Sequence, residues 1–332
     1  MRALTRAGLV AVPIGCPFSA CAFSGAAWVP TRAIASNRLA VCCQPAVAIA
    51  LTIARMKTVT LPSGETVPAL GQGTWNMGDS PTTRAQEIAT LQRGIALGLT
   101  LIDTAEMYGD GRSERLVAQA VAGRRSEVFI VSKVLPSNAS RRGTVAACER
   151  SLKNLNTDRI DLYLLHWRGG VPFTQTLEAL MALQRAGKIR HYGVSNLDLA
   201  EMQAWWNTPG GAASATNQLL YNLTRRGIEW DLAPWLRERR VPVMAYSPLE
   251  QARLFKNAQF AALAKAAGIT PAQLALAWLL AKDGVMVIPK CSSVARVEEN
   301  AAARDIQLTE SQLLELNEVF PAPTRAQALE ML

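Results

Sequence analysis

The sequence predicts one α/β domain folded as a (β/α)8 TIM barrel, and three observations carry that prediction. Eight short apolar segments recur along the chain, separated mostly by stretches with helical periodicity. A regular strand-then-helix alternation implies a parallel sheet with right-handed crossovers, and eight units in about 275 residues match a single closed barrel. No G-x-G-x-x-G follows any of the segments, which counts against the alternative, a doubly wound sheet.

The elements follow in order. Lys57 to Leu70 alternates around Pro62-Ser63-Gly64-Glu65, a hairpin signal. Strands are expected at Ala69–Gly71, Leu99–Ile102, Val128–Ser132, Ile160–Leu165, Ile189–Val194, Ala215–Asn217, Val241–Ala245 and Val285–Ile288. Helical patterns include Thr83–Leu97, Ser113–Val121, Thr144–Leu155 and Thr174–Ala186, and Pro271 opens another that runs to about Ala281. No linker, low-complexity tract or second domain interrupts residues 56–332.

Residues 1–55 differ from the rest. They hold five arginines (Arg2, Arg6, Arg32, Arg38, Arg55) and no acidic residue. The net charge of +9 therefore leaves +4 for the remaining residues. Four of the six cysteines, Cys16, Cys21, Cys42 and Cys43, also lie there. A targeting peptide and a membrane span are both considered for this segment. It has no clean n-region, h-region and cleavage site, and prolines or Gln44-Pro45 break its apolar runs. The reading preferred from sequence is an extension, disordered or outside the natural product, with the working protein beginning at Met56. The body carries only Cys148 and Cys291, too few for a disulfide framework, and reads as a reduced, cytoplasmic protein. No basic block with interleaved aromatics suggests nucleic acid, and residues 56–332 show no membrane segment.

A barrel keeps its chemistry where the strands end at their C-termini. Asp103 stands there, with Tyr108 five residues on in the loop. A phenol is a poor acid near neutral pH, but a nearby cation stabilises its phenolate, and a carboxylate can hold that cation. Lys133, closing the run Val128-Phe129-Ile130-Val131-Ser132, can be the cation and Asp103 its holder. His166, Ser195-Asn196, Gln218, Tyr246-Ser247 and Lys290 fall at the ends of other strands. Taken singly, each has a bland reading as a cap or a solvated end; their joint placement at one mouth gives them weight. His191 lies inside a strand and is read as structural.

Several stretches together resemble the motifs of the aldo-keto reductase family, in the family's order. They are Gly73-Thr74-Trp75, Asp103-Thr104-Ala105-Glu106-Met107-Tyr108-Gly109, Lys133, Leu164-Leu165-His166-Trp167, Gly193-Val194-Ser195-Asn196, Asn217-Gln218, Tyr246-Ser247-Pro248-Leu249 and Ile288-Pro289-Lys290. Arg296, Glu299 and Asn300 follow. The resemblance covers about Lys57 to Pro323, and within the family the chain is most similar to bacterial NADPH-dependent methylglyoxal reductases. It implies a monomeric reductase that converts small aldehydes and ketones to alcohols with NADPH and without a metal. Tyr108 would be the proton donor, Lys133 would lower its pKa, Asp103 would hold Lys133, and His166 would orient the carbonyl. Ser195, Asn196 and Gln218 would bind the nicotinamide carboxamide and Tyr246 would stack on its ring. Lys290 and Arg296 would hold the 2′-phosphate, with Glu299 and Asn300 at the adenine end. Gly73, Thr74, Trp75, Ser247, Leu249 and Ser292 complete the implied cofactor site, and Trp75 and Trp167 join Tyr108 and His166 around a small, partly apolar substrate pocket.

The chain departs from the family pattern at Arg168-Gly169-Gly170, where many relatives have proline, and at Cys291, where many have serine. The stretch from Leu249 to the helix near Asn257 is too short for a long clasp over the pyrophosphate. Two other classes compete: a non-catalytic NADPH-binding or regulatory protein on the same barrel, and a metal-dependent hydrolase using Asp103, Glu106 and His166.

Overall fold

The computed structural model describes residues 57–332, so the expectations for residues 1–55 and for a start at Met56 lie outside the described residues. It opens with an antiparallel hairpin, β1 (Thr58–Thr60) and β2 (Thr66–Pro68), in which Val59 pairs with Val67. Gly64, at φ +88°, makes the turn and donates its N–H to the Leu61 carbonyl at 2.8 Å. Val59, Leu61 and Val67 are buried, so one face of the hairpin packs on the barrel.

Eight parallel strands follow: β3 (Gln72–Gly73), β4 (Leu101–Asp103), β5 (Phe129–Val134), β6 (Ile160–Leu165), β7 (Ile189–Ser195), β8 (Asn217–Leu220), β9 (Val243–Tyr246) and β10 (Val285–Val287). They pair in chain order. The sheet closes on itself: Leu70 and Gly73 bridge in parallel to Val287 and Lys290, and the Gly71 N–H donates to the Val287 carbonyl at 2.8 Å. Glycine is needed at this seam, because a Cβ on Gly73 would stand 2.9 Å from the Ile288 carbonyl oxygen. All six residues of β5 and of β6 are buried, as strands covered on both faces must be, and their mostly apolar runs are the signal in the sequence.

The crossovers are helical: α1 (Arg84–Ala96), α2 (Arg112–Ala120), α3 (Arg141–Leu155), α4 (Phe173–Arg185), α5 (Leu199–Trp206), α6 (Leu232–Glu238), α7 (Ala258–Ala266) and α8 (Pro271–Leu280), with α9 (Val294–Ala302) and α10 (Glu310–Val319) after the last strand. Their starts are chemically marked. Ser140 accepts from the Gly143 N–H, and Asp198 with Glu201 and Thr270 with Gln273 form capping boxes; Pro271 fills the first turn, where its missing N–H costs nothing. Helix α8 is buried around most of its circumference and serves the core. Among the described residues no single helix is long and apolar enough to cross a membrane.

The hairpin is fastened to the end of the barrel opposite the strand C-termini. Lys57 Nζ donates to the Leu280 carbonyl at 2.6 Å. Glu65 accepts from Arg190 Nη2 at 2.6 Å and lies 2.6 Å from His191 Nε2, so His191 is structural, as read from sequence. Buried Asp161 ties the neighbouring strands at the same end, accepting from the Ile130 N–H and from Arg125, each at 2.8 Å.

Candidate active site

Strand register sets the centre of the site. Asp103 ends β4 opposite Val131, and Lys133 follows two residues later on β5, so both side chains enter the mouth from adjacent strands. Both are buried. Each Lys133 N–H has an acceptor: Asp103 Oδ2 at 2.8 Å, the Thr104 carbonyl at 2.8 Å and the Tyr108 hydroxyl at 3.3 Å. The other Asp103 oxygen accepts from Gln218 Nε2 at 2.7 Å, across the barrel from β8. A buried ion pair persists when the remaining lone pairs and protons are satisfied, and here they are.

Tyr108 is carried by a loop that only certain residues can form. The Tyr108 N–H donates to the Ala105 carbonyl at 3.1 Å and the Gly111 N–H to the Glu106 carbonyl at 2.9 Å. Gly109 and Gly111 take φ of +56° and +75°, and a Cβ on Gly109 would stand 2.4 Å from Asp79 Oδ1. Beneath the loop, Ser113 donates to Thr74 Oγ1 at 2.7 Å and Thr74 donates to the Asp103 carbonyl at 2.9 Å, a buried hydroxyl chain locking β3 to β4. Burial first, then the Asp103 carboxylate, hold the Tyr108 phenol well above its ordinary pKa. The Lys133 ammonium, expected from sequence to lower it, donates to the phenol oxygen at 3.3 Å. The ammonium is shared among three acceptors and largely answered by Asp103, so desolvation dominates.

His166 follows β6 and is buried. Burial, then the Lys133 charge, push its imidazole down to about 2, so it is neutral at any physiological pH. Its ring meets the Tyr108 ring edge-on, centroids 5.9 Å apart, and packs on Trp167 at 4.8 Å. Its Nδ1 is buried without a hydrogen-bond partner among the described residues.

The next strand ends form a polar shelf. Ser195 Oγ donates to the Gln218 carbonyl at 2.9 Å. Asn196, turned by a φ of +57°, donates from Nδ2 to the His166 carbonyl at 3.2 Å and accepts from the Tyr246 hydroxyl at 3.0 Å. Burial raises the Tyr246 phenol to about 12, which keeps it a donor. Ser247, at φ +46°, accepts through its carbonyl from Asn222, and half-buried Leu249 leads into a short 3₁₀ segment, Glu250–Lys256. That segment is as brief as the sequence implied.

The remaining implied cofactor residues cluster where β10 feeds α9. Lys290 and Arg296 are exposed, and neither has a carboxylate within ion-pair distance among the described residues. Half-buried Ser292 accepts through its carbonyl from Gln86 at 2.8 Å, Glu299 likewise from Gln273 at 3.4 Å, and Asn300 is buried against the Cys291 thiol. Two free cations beside the unpaired N–H groups of a helix N-terminus suit a bound phosphate. Next to this cluster, across the seam that bridges Gly73 to Lys290, Gly73 and Thr74 are buried in β3 and its turn, while Trp75 is 45% exposed at the mouth. In the Arg168-Gly169-Gly170 loop, Arg168 lies over the Phe173 ring and Gly169 sits against Pro136, where a Cβ would approach to 2.6 Å.

Sequence reasoning missed several contributors. The Thr104 carbonyl left no signal, because any residue supplies one. Glu106, considered only as a metal ligand, instead accepts from the Leu135 N–H, from Asn138 and from Arg150, and so braces the β5–α3 loop against the Tyr108 loop. Glu250 gathers Asn222, Arg225 and Arg253. Its place in a run of positive φ at Glu250, Gln251 and Ala252 could not be read from non-glycine residues.

Residues 69–320 match the model of the Aldo/keto reductase family. Methylglyoxal reductase YeaE of Escherichia coli is 49% identical over 282 residues, covering 83% of this chain and 99% of that protein. An aldo/keto reductase from Klebsiella pneumoniae, solved in complex with NADP and acetate, superposes with a TM-score of 0.82 at 50% identity, covering 83% of this chain and 100% of that one. An aldo-keto reductase from the same organism, in complex with NADPH, gives the same score and identity over 83% and 99%.

Proposed function

The chain belongs to the aldo/keto reductase family, and on that premise we propose that it uses NADPH to reduce small aldehydes and ketones, methylglyoxal among them, with Tyr108 as the proton donor. The observation that carries the reading is the shared ammonium of Lys133, fixed by Asp103 and Thr104 and donating to the Tyr108 oxygen.

The residues present fit the cofactor. Lys290, Arg296 and the N-terminus of α9 would hold its 2′-phosphate. Ser195, Asn196 and Gln218 offer donors and acceptors for a carboxamide, and Tyr246 offers a ring to stack on. When bound, NADPH supplies the hydride for the carbonyl carbon. The rest of the chemistry belongs to the chain. Tyr108 is protonated at neutral pH because its pKa is held high, so a proton is always available for the carbonyl oxygen. A general acid need not be intrinsically strong if the anion it leaves is met by a donor, and Lys133 stands ready at 3.3 Å. Neutral His166 orients the carbonyl by a hydrogen bond, without a charge that would repel Lys133. Trp75 and Trp167 flank the mouth and favour a small substrate.

Tyr108→Phe tests the assignment. Methylglyoxal reduction, followed as NADPH consumption, should fall by roughly 10²–10⁴-fold while NADPH binding is kept. Turnover near that of the unaltered protein would rule out Tyr108 as the acid.

A further inference from the structure

Ser113 and Glu114 lie in the first turn of α2, and both are fully buried, whereas acidic residues there ordinarily face water. Glu114 Oε1 accepts from Ser132 Oγ at 2.7 Å, and Oε2 accepts from Asn154 Nδ2 at 2.9 Å. Asn154 Oδ1 accepts from Arg115 at 3.0 Å, so an exposed cation reaches the carboxylate only through an amide. Among the described residues no Lys, Arg or His pairs with Glu114 directly. A buried carboxylate without an ion pair is costly and calls for a reason.

The reason lies across the barrel wall. Ser132 and Lys133 are consecutive on β5 and point to opposite faces, Ser132 outward to α2 and Lys133 inward to the mouth. The other titratable groups that face Glu114 are Cys148 on α3 and Tyr163 on β6; burial keeps both protonated, so neither offers a cation. On the inner side, Lys133 faces Asp103, Tyr108 and neutral His166. Lys133 therefore stands between two carboxylates, one in contact and one behind the strand; burial pulls its pKa down, and Asp103 first and then Glu114 oppose that pull.

We propose that Glu114 is a positioning residue for the proton transfer: as a second negative charge behind β5, it keeps Lys133 an ammonium and so keeps the donor to the Tyr108 oxygen charged. The inference rests on Tyr108 being the proton donor. Charges on opposite faces of a strand lie on the order of 10 Å apart, and at an effective dielectric constant of ~20 that separation moves a titration by about one pH unit.

The test is kcat/KM for methylglyoxal from neutral to alkaline pH. Glu114→Gln should move the alkaline limb about one unit toward lower pH, and Glu114→Asp, which keeps the charge, should return it. The double variant Glu114→Gln with Asn154→Asp keeps both hydrogen bonds but moves the charge one link outward, so its limb should fall between those of the unaltered protein and the Gln variant. A folded Gln variant whose limb coincides with that of the unaltered protein overturns the role. So does a uniform loss at every pH that Asp fails to reverse, which would mean packing alone. Should Glu114→Gln not fold, the double variant decides, and an unmoved limb overturns the proposal. Tyr108→Phe is measured alongside. If it stays active, the proton-donor reading falls; if it is inactive and the Gln limb does not move, only the role of Glu114 falls.

Discussion

Lowering the pH from about 7 to about 5 should cost the folded protein roughly 2 kcal/mol through His166 alone. In the native state burial and then Lys133 hold the imidazole down to about 2, whereas in the unfolded chain it titrates near ~6.5. Between those values the unfolded chain binds a proton that the native protein refuses. Stability therefore falls as pH falls through the window, by about 1.4 kcal/mol per unit once well below ~6.5. Above ~6.5 both states are neutral and the contribution is complete. His166→Gln cannot take up the proton. Unfolding free energies from urea titrations at the two pH values should show the unaltered protein losing about 2 kcal/mol more than the variant, since the carboxylates titrate alike in both. Parallel losses would refute a neutral, buried His166.

Two further predictions concern the ion pair and the phosphate cations. Lys133→Met leaves the buried Asp103 carboxylate with only Gln218, and should cost about 3–5 kcal/mol by chemical unfolding, while Lys133→Met combined with Asp103→Asn should regain most of it without regaining activity. Arg296→Ala should weaken NADPH binding by about 10–150-fold and leave NADH nearly unchanged, because losing a charge-assisted hydrogen bond to the 2′-phosphate costs about 1.5–3 kcal/mol. Fluorescence titration with both cofactors measures it, and equal losses would remove the role.

The architecture was legible wherever burial imposes a continuous apolar run. Ile160–Leu165 was placed to the residue, and the alternation that identified the barrel needed no long-range information. Boundaries slipped where pairing rather than composition decides them. The first barrel strand was expected at Ala69–Gly71, yet β3 is Gln72–Gly73, because closure of the seam places those residues against β4. Ala215–Asn217 became Asn217–Leu220, since β8 pairs with β9 through Leu219 and Leu220. In the site, residue types at strand ends revealed Asp103, Lys133, His166 and Gln218, which the structure gathers at one mouth. The net electrostatic balance at Tyr108 was not legible, because it depends on how burial and Asp103 weigh against the neighbouring Lys133. Glu114 was invisible for a related reason: in a linear sequence, an acid in the first turn of a helix reads as an ordinary solvated residue.

The hairpin and its fastening carry a consequence for how this molecule can change. Among the described residues, the groups that seal the floor (Lys57, Glu65, Asp161, Arg190 and His191) and the groups at the mouth have no member in common. A six-residue strand such as β6 spans roughly 20 Å between them, and substitutions so far apart add their effects rather than compounding them. Reinforcing the floor can therefore offset, arithmetically, whatever stability a new pocket at the mouth gives up. Variation in what the enzyme accepts and variation in how firmly it folds can proceed as two nearly independent histories within one chain.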